Sequence, residues 1–105
     1  MSSAPPRPAP VAETDRVRLA PGVVLRHDRT RDQWVLLGPE RVLVLDETAL
    51  EAVRACAAPG PGADGASVGE GIDRLAAAFD APRDAIAGDV LELLDDLRNR
   101  GFLTR

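Results

Sequence analysis

The spacing of apolar residues changes at Asp46, and no other feature of this 105-residue chain constrains its fold as strongly. Before Asp46 the apolar positions recur at strand spacing; after it they recur every third or fourth residue, as in amphipathic helices. The first half therefore reads as short strands. Residues 16–20 (Arg-Val-Arg-Leu-Ala) alternate polar and apolar and form an optional first strand, and Pro21-Gly22 turns the chain. Residues 23–28 make a strand, Asp28 to Asp32 a polar hairpin loop, and residues 33–37 (Gln-Trp-Val-Leu-Leu) the returning partner. Gly38-Pro39 breaks that strand, and residues 41–45 (Arg-Val-Leu-Val-Leu) form the next. This run is apolar at both parities, Val42/Val44 on one face and Leu43/Leu45 on the other. A strand packed on one face alternates with polar residues, so a cover is expected over its second face.

The helical half starts with Asp46 as N-cap, followed by Ala49, Leu50, Val53, Cys56 and Ala57 at helical spacing. Pro59-Gly60-Pro61-Gly62 ends this helix and opens a loop through Gly65. Ser67-Val68-Gly69-Glu70 reads as a capping box, with Ile72, Leu75, Ala76 and Phe79 as the stripe behind it. A third helix opens with Pro82, carries Ile86, Val90, Leu93, Leu94 and Leu97, and stops at Gly101, so that Phe102 and Leu103 can fold back on its end. The expected fold class is α+β: a winged-helix-like domain with a small three-stranded antiparallel sheet followed by three helices. Leu, Ile, Val and Phe make up about a quarter of the residues, enough for one small core. Residues 1–15, rich in Pro and Ala, read as a disordered tail or linker, and residues 16–105 as the domain.

A winged-helix shape raises the question of DNA, and the charges argue against it. All 13 cations are Arg; residues 1–45 hold 7 of them against 5 acids, whereas residues 46–105 hold 6 against 12. In the third helix Asp84, Asp89, Glu92, Asp95 and Asp96 outnumber Arg83, Arg98 and Arg100, which repels phosphate and suits a basic or neutral peptide. Catalysis lacks a constellation. One Cys and one His allow neither an internal disulfide nor a Cys/His metal cluster. His27 reads as a surface strand residue, Cys56 as core, and the Glu92, Asp95, Asp96 group as a solvated helix face. The chain is thus read as a non-enzyme without cofactor or metal. No apolar stretch suits a secretory signal or a membrane span, so a cytoplasmic protein is expected. Trp34, the single Trp, reads as a core anchor. The strongest functional hint is residues 41–45, placed at a sheet edge: unpaired backbone groups there are a template for an added strand.

The run Trp34-Val35-Leu36-Leu37-Gly38-Pro39-Glu40-Arg41-Val42-Leu43-Val44-Leu45-Asp46, followed by Thr48-Ala49, resembles the signature of the PqqD family. These are the peptide chaperones of pyrroloquinoline quinone (PQQ) biosynthesis. The similarity continues through Asp64-Gly65 and the helix at 67–79, and through Asp89-Val90 to Leu97 and Gly101-Phe102-Leu103. A longer loop, residues 57–63, separates Cys56 from Asp64-Gly65 than is usual in the family. The resemblance implies the winged-helix recognition fold of ribosomal-peptide modification systems, binding of the precursor peptide PqqA, and its presentation to the radical S-adenosylmethionine enzyme PqqE. The peptide would pair as an extra strand with Arg41, Val42, Leu43, Val44 and Leu45. Helical spacing adds Leu91, Leu94, Asp95 and Arg98 as contacts on the third helix. Fusion or adjacency to PqqC, the oxidase of the pathway, also accompanies the family. The alternatives are a recognition module for another modified peptide, a winged-helix DNA-binding regulator, and a module that dimerises through its edge strand instead of remaining monomeric.

Overall fold

In a computed structural model, residues 9–58 and 66–105 are described; the expected tail up to residue 8 and the loop from Pro59 to Gly65, including Asp64-Gly65, lie outside them. The elements run β1 (Val17–Leu19), β2 (Val24–Asp28), β3 (Gln33–Leu37), β4 (Val42–Leu45), α1 (Glu47–Cys56), β5 (Ala57–Ala58), α2 (Val68–Phe79), α3 (Arg83–Asn99) and β6 (Leu103–Thr104). The three strands read from residues 23–45 form one antiparallel sheet in the order β2-β3-β4. Registers pair His27 with Trp34 and Trp34 with Leu45, so each strand keeps one parity toward the helices. On that inner face Leu36 and Leu45 are buried, and Leu25, Trp34 and Leu43 pack against the core.

The helix starts follow local chemistry. Asp46 accepts the Ala49 N–H at 2.7 Å. Ser67 and Glu70 form the reciprocal capping box, the Glu70 N–H donating to Ser67 Oγ and the Ser67 N–H to the Glu70 carboxylate. Pro82 sits just before α3 as its cap position, and Gly101 takes a left-handed φ of 86° beyond its end. Phe102 and Leu103 fold back and are buried, with the Phe102 N–H on the Leu97 carbonyl at 3.0 Å.

Three findings differ from the sequence reading. Residues 16–20 do form a strand, but in a second small sheet of order β5-β1-β6. There β1 pairs parallel with Ala57-Ala58, which helical spacing had assigned in part to α1. Alanine favours helix, and only the tertiary pairing with Val17 and Arg18 pulls Ala57-Ala58 into extended conformation. Second, residues 9–15 pack on the domain instead of belonging to a disordered tail: Val11 is buried among the core residues, and the Val68 and Gly69 N–H groups donate to the Asp15 and Glu13 carbonyls at 2.9 and 2.8 Å. Third, no described residue covers the second face of β4, where Val42 and Val44 are 66 % and 51 % exposed. The helices pack on one side of the sheet; on the other, Val35 of the central strand is buried at 7 % exposure while the edge residues Val42 and Val44 stay open. Among the described residues no helix is long and apolar enough to cross a membrane.

Candidate functional site

β4 is an edge strand. Its one ladder is to β3, in the register Trp34↔Leu45, Val35↔Val44, Leu36↔Leu43, Leu37↔Val42. The Gly38 N–H donates to the Arg41 carbonyl at 2.8 Å, so Gly38 and Arg41 are a hydrogen-bonded pair. Antiparallel pairs alternate between bonded and non-bonded. Leu43 and Leu45 therefore direct their backbone groups to β3, and Val42 and Val44 direct theirs to the open edge. Two donors and two acceptors are presented there in strand geometry. The end of the strand nearest the hairpin is held against the end of α3: the Arg41 guanidinium donates to the Arg100 carbonyl, and residues 38–41 lie beside Gly101 and Phe102.

The residues expected on α3 do not share one environment. Ala87, Val90, Leu94 and Leu97 form its buried stripe, and Leu94 is 0 % exposed, so it offers a peptide no surface. Helical spacing puts Leu91, Asp95 and Arg98 on one flank of that stripe, and Ile86, Asp89, Leu93 and Asp96 on the other. The first flank is already occupied. Asp95 accepts the Val11 N–H at 3.2 Å and an Arg98 N–H at 2.8 Å, while Arg98 also donates to the Ala9 carbonyl. Leu91 is half-buried against the core. Asp95 and Arg98 thus anchor residues 9–11, and nothing in the helix pattern alone distinguished their flank from its opposite. The solvent side of α3 is an open acidic depression lined by Asp89, Glu92, Leu93, Asp95, Asp96 and Asn99.

The other candidates settle into structural roles. Cys56 is 2 % exposed, with its Sγ 3.8 Å from the Val68 carbonyl, and burial pushes its thiol up to about 11, away from thiolate chemistry. His27 Nε2 lies 3.0 Å from Asp32 Oδ1, and its ring centroid is 5.0 Å from that of Trp34. Trp34 is half-buried under the Arg54 guanidinium, 5.1 Å from the ring centroid. Among the described residues no group of three His, Cys, Asp or Glu side chains gathers at metal-binding distance.

Fold and site define a class: a small winged-helix-like α+β domain with an open strand edge beside its last helix. The family model of coenzyme PQQ synthesis protein D (PqqD) matches residues 33–103. A PqqA binding protein of Bradyrhizobium diazoefficiens is 45 % identical over 99 residues, covering 94 % of this chain and 90 % of the relative. One from Xanthomonas oryzae pv. oryzae is 46 % identical over 86 residues, covering 81 % and 86 %. The solution NMR structure of the PqqD truncation of Methylobacterium extorquens PqqCD, described as a stand-alone recognition element for ribosomally synthesised and modified peptides, superposes with a TM-score of 0.70 at 32 % identity, covering 90 % of this chain and 94 % of that one. The chain belongs to the PqqD family.

Proposed function

We propose that this chain is a cytoplasmic, non-catalytic peptide chaperone of PQQ biosynthesis. It binds the precursor peptide PqqA as an added strand on β4 and presents it to the radical S-adenosylmethionine enzyme PqqE. The observation that carries this reading is the open edge at Val42 and Val44, and the naming of its relatives as PqqA binding proteins supports the choice of peptide. The strand contribution rests with Arg41 to Leu45. On α3 the solvent-facing parts of Leu91, Asp95 and Arg98 remain candidate contacts. The opposite flank of Ile86, Asp89, Leu93 and Asp96, where Ile86 and Leu93 are half-buried like Leu91 and Asp96 pairs with Arg100 at 3.1 Å, is the second candidate wall. That flank pairs apolar contact with negative charge and selects apolar and basic side chains in the peptide.

Magnitudes define what the edge alone can do. Four backbone hydrogen bonds at about 0.5–1.5 kcal/mol each give about 2–6 kcal/mol. Micromolar affinity needs about 8 kcal/mol, after the loss of rigid-body freedom has been offset. Side chains of the peptide against α3 must therefore supply the remainder, and they set specificity. Calorimetric titration with the cognate PqqA tests the site. Val44→Pro deletes an outward donor and is expected to weaken binding by about tenfold or more, equivalent to about 1.4 kcal/mol. Leu43→Pro removes a donor directed at β3 and damages the sheet itself. Unchanged affinity in a folded Val44→Pro variant would move the peptide off this edge.

A further inference from the structure

A chaperone that hands its peptide to an enzyme needs a second surface beside the peptide's own, and the sheet has one that adjoins the β4 edge: the backbone of Val42 and Val44 faces the edge and their side chains face outward. Its outer face carries Val24, Val42 and Val44 at 51 %, 66 % and 51 % exposure, three of the four large hydrophobic side chains that the described residues expose. Half-buried Leu37 joins Val24 to Val42, since the registers pair Val24 with Leu37 and Leu37 with Val42, while Val35 opposite Val44 is itself buried at 7 % exposure and forms the floor of the strip. An exposed apolar strip on a small domain marks an interaction surface. Three arginines border it: Arg26 on β2, and Arg29 and Arg31 in the hairpin loop.

Those arginines differ from most others in the chain. Arg54, Arg83, Arg98, Arg100 and Arg105 each form an ion pair within the domain, and Arg41 donates to a carbonyl. Arg26, Arg29 and Arg31 form none among the described residues. The nearby carboxylates are engaged elsewhere: Asp28 accepts the Thr30 and Arg31 N–H groups at 3.1 and 3.4 Å, and Asp32 lies against His27. The loop therefore exposes three arginines with no ion-pair partner among the described residues, while Asp28 is held by local backbone bonds and Asp32, though its side chain is 93 % exposed, lies against His27. This is the reverse of α3, whose exposed side is acidic.

We infer that the outer face of β2-β3-β4 is the docking surface for the peptide-receiving enzyme, and that it fits a patch of apolar side chains bordered by carboxylates. The inference rests on the chaperone reading for the identity of the partner, but not for the surface. An apolar centre ringed by a few arginines suits a protein surface, whereas a nucleic acid would need a wider cationic track and would meet the acidic α3. The arginines steer an acidic partner to the face, and burial of the valines retains it.

The test titrates the full chain separately with the cognate PqqE and the cognate PqqA, using Val24→Glu and Arg31→Glu. Both positions lie away from the β4 edge, and Arg31 is an exposed loop residue whose reversal leaves the core intact. Each variant, shown folded by its amide spectrum, is expected to weaken PqqE binding at least tenfold and to leave PqqA affinity within twofold. Added salt is expected to weaken PqqE binding to the wild type. PqqE affinity unchanged in both folded variants would overturn the inference, as would wild-type protein that binds PqqA but not PqqE. Retention of duplex DNA by the same face, with PqqE silent, would also overturn it. Failure of PqqA to bind wild-type protein would instead overturn the chaperone reading, which the PqqE titration leaves distinguishable.

Discussion

Glu13 and Glu70 are surface carboxyls that the fold uses as fasteners. Hydrogen bonding to the Arg83 guanidinium lowers the Glu13 pKa from its ordinary 4.5, and the Ser67 backbone and hydroxyl do the same for Glu70. Folded pKa values below the unfolded ones mean that the unfolded chain binds more protons at acid pH. The stabilisation is thus complete above 4.5 and is lost as pH falls through the lowered folded values. The thermal midpoint is expected to drop over that window, and Glu13→Gln combined with Glu70→Gln to flatten the drop. An equally steep acid slope in the double variant would assign it to other carboxyls. At this scale much was legible. The caps at Asp46 and Ser67 and the buried Cys56 follow from local residue order, because a cap is a contact between residues three apart. The bonds of Arg98 and Asp95 to residues 9–11 were not legible for the opposite reason: their partners are Ala9 and Val11, more than eighty residues away.

Between elements, α1 and α2 cross closely enough to exclude a methyl group. A Cβ on Gly71 would stand 2.5 Å from Cys56 Sγ and 2.6 Å from the Ala55 carbonyl oxygen. Gly88 on α3 has open space at the same position. The two helical glycines are therefore expected to respond with opposite signs. Gly88→Ala gains about 0.5–1 kcal/mol of helix propensity. Gly71→Ala loses about 1–3 kcal/mol, since overpacking against a backbone carbonyl outweighs that gain. Chemical denaturation of the two variants reads both, and equal shifts of the same sign would contradict the close crossing. Strands β2, β3 and β4 and all three helices were legible because each repeats its period over several residues. Strands β5 and β6 were not: two residues carry no period, and each exists by pairing with β1. The doubly apolar pattern of residues 41–45 was also misread as a sign of burial on both faces. It marks a strand with one packed face and one exposed face.

Across the molecule, residues 9–15 close the domain. They supply the carbonyls for the first N–H groups of α2, bury Val11, and tie α3 through Asp95, Arg98 and Arg83. A chain beginning at Arg16 would lose about 1.5–3 kcal/mol for Val11 alone, and about 1 kcal/mol for each lost hydrogen bond. At about 4–8 °C per kcal/mol for a domain of this size, its thermal midpoint is expected to fall by more than about 10 °C. A midpoint within a few degrees of the intact chain would make the segment a passive tail. Composition hid this role, because one Val amid Pro and Ala gives no period to read. The assembly of peptide and domain has its most direct test in amide hydrogen exchange of the free and PqqA-saturated protein. In the free state Leu43 and Leu45, bonded to β3, are expected to exchange slowly, and Val42 and Val44, at the open edge, quickly. Saturation with PqqA should protect Val42 and Val44 strongly and leave Leu25 and His27, on the far edge of the sheet, unchanged. Protection at the β2 edge, or none at Val42 and Val44 under saturating peptide, would contradict strand addition at β4.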